Sequence, residues 1–165
     1  MNDLSPVETI ERLINEHLDW SDKAIIEALR KLPPLSDEAV YMNRDGDWNE
    51  IYLFLALADI YAVRKLRPAI MLLFERASFG DPGETMRGVR HSLEAIANPD
   101  WDFLADVCLE ALDSKRPGTR FWAIEQLGVL HLQRTLEAVR RKLDDPESEV
   151  RAAAQSAIGR TETRN

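Results

Sequence analysis

Residues Thr119 to Gly159 read TRFWAIEQLGVLHLQRTLEAVRRKLDDPESEVRAAAQSAIG, and this stretch decides the fold. Two helix-length segments lead into an Asp-Pro turn, and a third segment then echoes the first. Leu127-Gly128 returns as Ile158-Gly159, and Arg120 returns as Arg151, both at a step of 31 residues. One step back from Leu127 lands on Ile96, inside HSLEAIANP. Self-similarity at this period is the mark of stacked helical hairpins, because one such unit cannot bury its apolar face alone.

Outward from this stretch the same grammar continues. Ser5, Pro6 and Glu8 form a helix start: Ser5 can cap, proline suits the first helical position, and Glu8 can close a capping box. Ile10, Leu13, Ile14 and Leu18 follow at helical spacing, and Ser21 opens a second helix that Pro33-Pro34 ends. A short third helix is expected over 36–42. The most apolar helix runs from Asn49 to Lys65 and carries apolar residues around most of its circumference, so it should be covered on several sides. Pro68 starts a helix with Ile70, Met71, Leu73 and Phe74 inward, and helices over 84–97, 100–113, 119–130, 133–144 and 147–159 complete about ten. No alternating β-branched run is present, so the class is all-α. The chain is expected to form one domain over 1–165, with diverged or capping helices over 1–79, repeats over 80–159 and a frayed polar tail over 160–165.

Composition narrows the function. The 165 residues are 45% hydrophobic and 30% charged, which suits a folded globular chain. A formal net charge of -8 repels phosphate backbones, so no nucleic-acid partner is expected. The excess is one-sided. Residues 1–62 hold 13 acidic and 5 basic side chains, net -8, whereas residues 63–165 hold 16 of each. Such a field steers a basic partner to one part of the molecule. The single cysteine, Cys108, rules out an intrachain disulfide and a multi-cysteine metal site, and its apolar neighbours predict burial. The N-terminal residues lack a signal-peptide pattern, and Ile51 to Ala58 is too short an apolar run to span a bilayer, so a cytoplasmic location is expected.

From Asp145-Pro146-Glu147-Ser148-Glu149-Val150-Arg151, and back through Trp122 to Leu130 and Leu143 to Asp145, the chain resembles the HEAT-repeat family. The likeness is to the short bacterial repeats of phycobilisome-lyase type and covers roughly residues 80–159. It implies a short right-handed α-solenoid of antiparallel helical hairpins, and binding rather than catalysis. It also implies that the recurring arginine ties neighbouring turns through an aspartate. On the residues themselves, Ala123, Ala153 and Ala157 allow close helix approach. Gly128 and Gly159 relieve crowding or close a helix, and Asp145 can cap the last helix.

Candidate partner-binding residues lie where the repeat is broken. Asp102, Asp106 and Glu110 form a ridge at i, i+4, i+8, with Asp113 just beyond. Their counterparts 31 residues on are Gln133, Glu137, Arg141 and Asp144, so the ridge belongs to one repeat and stacking should not need it. Glu137 extends the acidic surface, and Trp48 and Trp101, beside acidic residues, are candidate anchors. Asp45 and Asp47 lie in a polar turn, Asn43 to Asn49. Its alternating oxygens resemble the start of an EF-hand, but glycine is misplaced and the twelfth position is Phe54, so Asx-turns rather than a calcium site are expected. His17, His91 and His131 are isolated, and no nucleophile elbow, phosphate loop or metal motif occurs, so neither an enzyme nor a cofactor is expected. The expectation is a non-enzymatic module with an acidic surface for a basic protein partner, one form being an immunity protein that blocks a basic bacterial toxin. The alternatives are a bilin-lyase-like maturation factor and a HEAT-like DNA glycosylase. For the first, Asp106, Glu110 and His91 are the available acids and bases. For the second, Arg134, Arg140, Arg141 and Lys142 are the basic cluster.

Overall fold

The structure is a computed structural model that describes residues 4–33, 49–67, 70–76 and 84–163, without the side chains of 84–88. The expected helix over 36–42, the turn with Asp45, Asp47 and Trp48, and Pro68 lie outside the described residues. Among the described residues every regular element is a helix. They are α1 (Pro6–His17), α2 (Asp22–Lys31), α3 (Asn49–Arg64), α4 (Met71–Arg76), α5 (Glu84–Ala97), α6 (Trp101–Ala111), α7 (Pro117–Leu130), α8 (Leu136–Arg140) and α9 (Ser148–Glu162). Among these residues no helix is long and apolar enough to cross a membrane. The chain divides into two compact units, Met1–Ile96 and Ala97–Asn165.

In the first unit α3 is the hub. Ile51, Phe54, Ala56, Leu57, Ala58, Ile60 and Tyr61 are all buried along it, as a helix that is apolar nearly all round requires. α1 and α2 both pack on it. α1 starts as its sequence dictates: the Ser5 hydroxyl accepts from the Glu8 N–H at 3.3 Å, and the Glu8 carboxylate accepts from the Ser5 N–H at 2.8 Å. Ser21 caps α2 through the Ala24 N–H. α2 buries Ile25 and Leu29, while α1 buries no residue fully. Arg64 closes the corner between them, donating to the carbonyls of Leu18 and Trp20 and to the Asp22 carboxylate. Arg76 does the same at the end of α2, donating to the carbonyls of Leu29 and Arg30.

In the second unit α7 packs on α9, and α6 packs on α7. Leu104, Cys108, Ala123, Ile124, Leu127, Val150, Ala154 and Ala157 are buried there. Burial pushes the Cys108 thiol far above its ordinary pKa, as a packed, inert cysteine should show. The link to an aspartate expected of the recurring arginine is made by Arg120, whereas Arg151 meets backbone carbonyls instead. Arg120 grips Asp145 with both ends of its fork, Nε to Oδ2 at 2.7 Å and Nη2 to Oδ1 at 2.8 Å, and donates a third bond to the Ser114 carbonyl. Arg151 returns the favour one turn on, donating to the carbonyls of Asp145 and Pro146.

Four local expectations need correction. Asp145 does not cap α9. Its carboxylate is taken by Arg120 and by the N–H of Glu147, and Glu147, at the cap position, makes no side-chain cap bond. The expected helix over 133–144 is broken into a 3₁₀ turn (Gln133–Thr135), the five-residue α8 and a second 3₁₀ turn (Arg141–Asp144). The tail is not frayed from Arg160: α9 runs to Glu162, Thr161 is buried, and Arg160 pairs with Glu125 at 3.1 Å. The two glycines differ in kind. A Cβ on Gly128 would stand 2.8 Å from the Ala157 Cβ and 3.1 Å from its Cα, so Gly128 permits the close approach of α7 and α9. Gly159 has open space around it and closes nothing; α7 is closed instead by His131 in the left-handed region at φ 52°.

Candidate functional site

The ridge on α6 is where the sequence places its binding surface. Asp100 caps the helix through the Phe103 N–H at 3.0 Å, which sets Trp101, Asp102, Asp106 and Glu110 on its outer side, and all four are exposed. The ridge is not an open field of negative charge. Arg134 donates to Asp102 at 2.9 Å and 3.2 Å through Nη2 and Nε, and to Asp106 at 2.8 Å through Nη1. The same guanidinium donates to the Asp102 carbonyl. Hydrogen bonds to Asp106 and then Asp102 hold the Arg134 pKa above its ordinary value. The ridge was expected to be idle in stacking, yet it ties α6 to the turn before α8. Asp113 has the Lys142 ammonium at 3.6 Å, and Glu137 has Arg141 at 3.8 Å. Glu110 alone of the ridge acids forms no ion pair among the described residues. The signal in the sequence for the pairing of the other acids was the position of Arg134, 32 residues after Asp102 and one place off the repeat step.

The basic cluster is spent in the same way. Arg134, Arg141 and Lys142 have the partners just named, and Arg140 donates to Glu162 at 2.7 Å. Trp101 is 42% exposed and remains available as an anchor, whereas Trp122 is half-buried and meets Phe121 edge-on with ring centroids 4.9 Å apart.

The first unit holds a different kind of site. A groove of about 350 Å³ is lined by Ile14 of α1 and Leu18 at its C-cap, by Asp59, Ile60, Ala62, Val63 and Arg64 of α3, and by His91 of α5. Arg64 brings no free charge to it, because its guanidinium is turned to Leu18, Trp20 and Asp22. Asp59 is half-buried and has no hydrogen bond or ion pair among the described residues. Burial pushes its carboxyl pKa up, and the charge of nearby His91 pulls it the other way. An acid in this position is ionised at a cost, since apolar walls have replaced part of its water. Sequence reading found His91 as an isolated base and missed Asp59, which looks like one polar break in an apolar helix. Its spacing to Val63 (i, i+4) on the exposed side of α3 was the available signal.

No group of three or more metal-ligating side chains occurs among the described residues. No family model, no curated protein and no solved structure matches this chain.

Proposed function

We propose that the chain is a non-enzymatic, cytoplasmic protein-binding module of HEAT-like helical repeats, stacked as a short solenoid, that holds a basic protein partner through its acidic first unit. An immunity protein against a basic toxin is one concrete form. One observation carries this reading: the excess charge of -8 lies within residues 1–62, and the acids of the second unit are largely matched by internal cations. Unmatched charge is what an incoming cation meets, and complementary charge speeds association and selects partners. In the second unit, Trp101 is exposed and Glu110 forms no ion pair among the described residues, so these are the ridge members left for a contact of their own; Trp48, Asp45 and Asp47 belong to the acidic region by sequence.

The other readings have less support. Every member of the basic cluster that a glycosylase groove would use has a carboxylate within ion-pair distance. A groove of about 350 Å³ sits at the small end of ligand pockets, roughly 300–1,000 Å³, and would not enclose an open-chain tetrapyrrole. The test is binding of basic candidate partners measured against salt. Affinity should fall steeply between low and physiological ionic strength, and an affinity indifferent to salt would overturn the reading.

A further inference from the structure

The groove in the first unit has largely apolar walls and one half-buried carboxylate, Asp59, which makes no hydrogen bond or ion pair among the described residues, with His91 nearby and the Arg64 guanidinium turned to other partners. That combination fits an aliphatic chain ending in a cation. A lysine or arginine side chain buries its methylenes on apolar surface while its head reaches a polar partner. The walls here are Ile14, Leu18 and Val63, and the acid is Asp59. Resting on the reading of the chain as a holder of basic proteins, we propose that this groove seats a lysine or arginine of the partner, with its stem against Ile14, Leu18 and Val63 and its charge on Asp59.

The surface beside the groove shows why the occupant is a polypeptide rather than a free amine. On α1, positions 7, 11, 14 and 18 fall on one face, because a helix turns about 100° per residue. Val7 and Leu18 on that face are 63% and 48% exposed, and Val63 beside the groove is 79% exposed. Glu11 sits among them, exposed and without an ion pair among the described residues. This apolar strip with a second acid extends two turns beyond the groove, roughly 10 Å. A small amine cannot cover it. A basic amphipathic helix can, with one cation for Asp59, another for Glu11 and apolar residues between. The charge of α1 and its flanks agrees: residues 1–20 carry Asp3, Glu8, Glu11, Glu16 and Asp19 against Arg12 alone.

The test uses the full chain with two probes, hexylammonium and a synthetic amphipathic helix of leucine and lysine, followed by amide chemical shifts and calorimetry. Hexylammonium should shift the amides around Ile14, Leu18 and Val63, while hexanoate should not. The peptide should bind the same place at least about tenfold more tightly than hexylammonium. Asp59→Asn should weaken the peptide by about tenfold or more. Glu27→Gln removes the same charge from the same unit and should weaken it less than about twofold. Val63→Lys, at an exposed position that the fold does not need, should abolish the shifts in the groove. Equal losses for Asp59→Asn and Glu27→Gln would overturn the groove while leaving the acidic-surface reading standing. Equal affinities for peptide and hexylammonium would make the occupant a free amine and overturn the polypeptide. No binding of the peptide at low salt would overturn both.

Discussion

Two carboxylates show how the halves of this protein differ. Asp145, in the second unit, is buried with a fork of hydrogen bonds from Arg120 and another from the Glu147 N–H. Burial alone would raise its pKa, but those bonds and the charges of Arg120 and Lys142 reverse the effect and hold it below the ordinary value. Asp59, in the first unit, is half-buried with no hydrogen bond or ion pair among the described residues, and burial holds its pKa up against the pull of the nearby His91 charge. The first acid has been given everything its charge needs. The second has been left needing something. A charge satisfied inside the fold serves the fold, and a charge left unsatisfied at a groove is free to serve a ligand.

The comparison breaks most visibly at the satisfied acid. Arg120 and Asp145 have side chains only 10% and 3% exposed, so truncating one strands the other's charge. Asp145→Ala should destabilise by about 3–5 kcal/mol, measured by chemical denaturation. A loss under about 1 kcal/mol would mean that water replaces the partner and that the pair is no keystone of the second unit.

Next come the two glycines of the repeat. Gly128→Ala puts a Cβ against Ala157, where backbone rather than a flexible tip lies at 3.1 Å, and should cost about 1–3 kcal/mol. Gly159→Ala meets nothing within 4 Å and sits inside α9, so it should stabilise by about 0.5–1 kcal/mol. The pair occupies matched positions in the sequence. Opposite signs in thermal unfolding would show that the repeat is chemical at one copy and vestigial at the other.

The ridge offers a subtler break. Arg134 is exposed, so Arg134→Ala should cost less than about 1 kcal/mol. It also uncovers Asp102 and Asp106. The variant should therefore bind a basic peptide more tightly than the parent, through a new site on α6. If affinity is unchanged, those two acids were never masked.

How much of this could be read from residues alone follows from the range of each interaction. Ser5 with Glu8, Ser21 and the apolar run of α3 act within a few residues, so the helices they start or bury were legible. The Arg120 link was expected only from the resemblance of its surroundings to a known repeat family, not from the spacing of Arg120 and Asp145 themselves. Arg134 was not: it reaches back across 28 and 32 residues, and an i, i+4, i+8 row of acids looks free until its cation is found. Asp59 was hidden for the opposite reason. Its character comes from what fails to reach it, and a sequence does not display absences. Nor could the break of 133–144 into short turns be seen, because its apolar spacing is helical throughout.

The last prediction tests the contrast directly through pH, and its effect is the smallest. Asp145 has a depressed pKa, so the native state prefers its ionised form. Its contribution is complete above the ordinary carboxylate range and is lost as pH falls through its lowered native value. Asp59 has a raised pKa, so the native state prefers its protonated form. At neutral pH its ionisation works against folding, and that penalty fades as pH falls through the raised native value. Asp59→Asn, which keeps the shape and discards the charge, should therefore be slightly more stable than the parent at pH 7. The difference should shrink between neutrality and about pH 4, the ordinary carboxylate value. A chain stabilised by losing an acid, yet weakened in holding a basic peptide by the same change, has kept that acid for its partner.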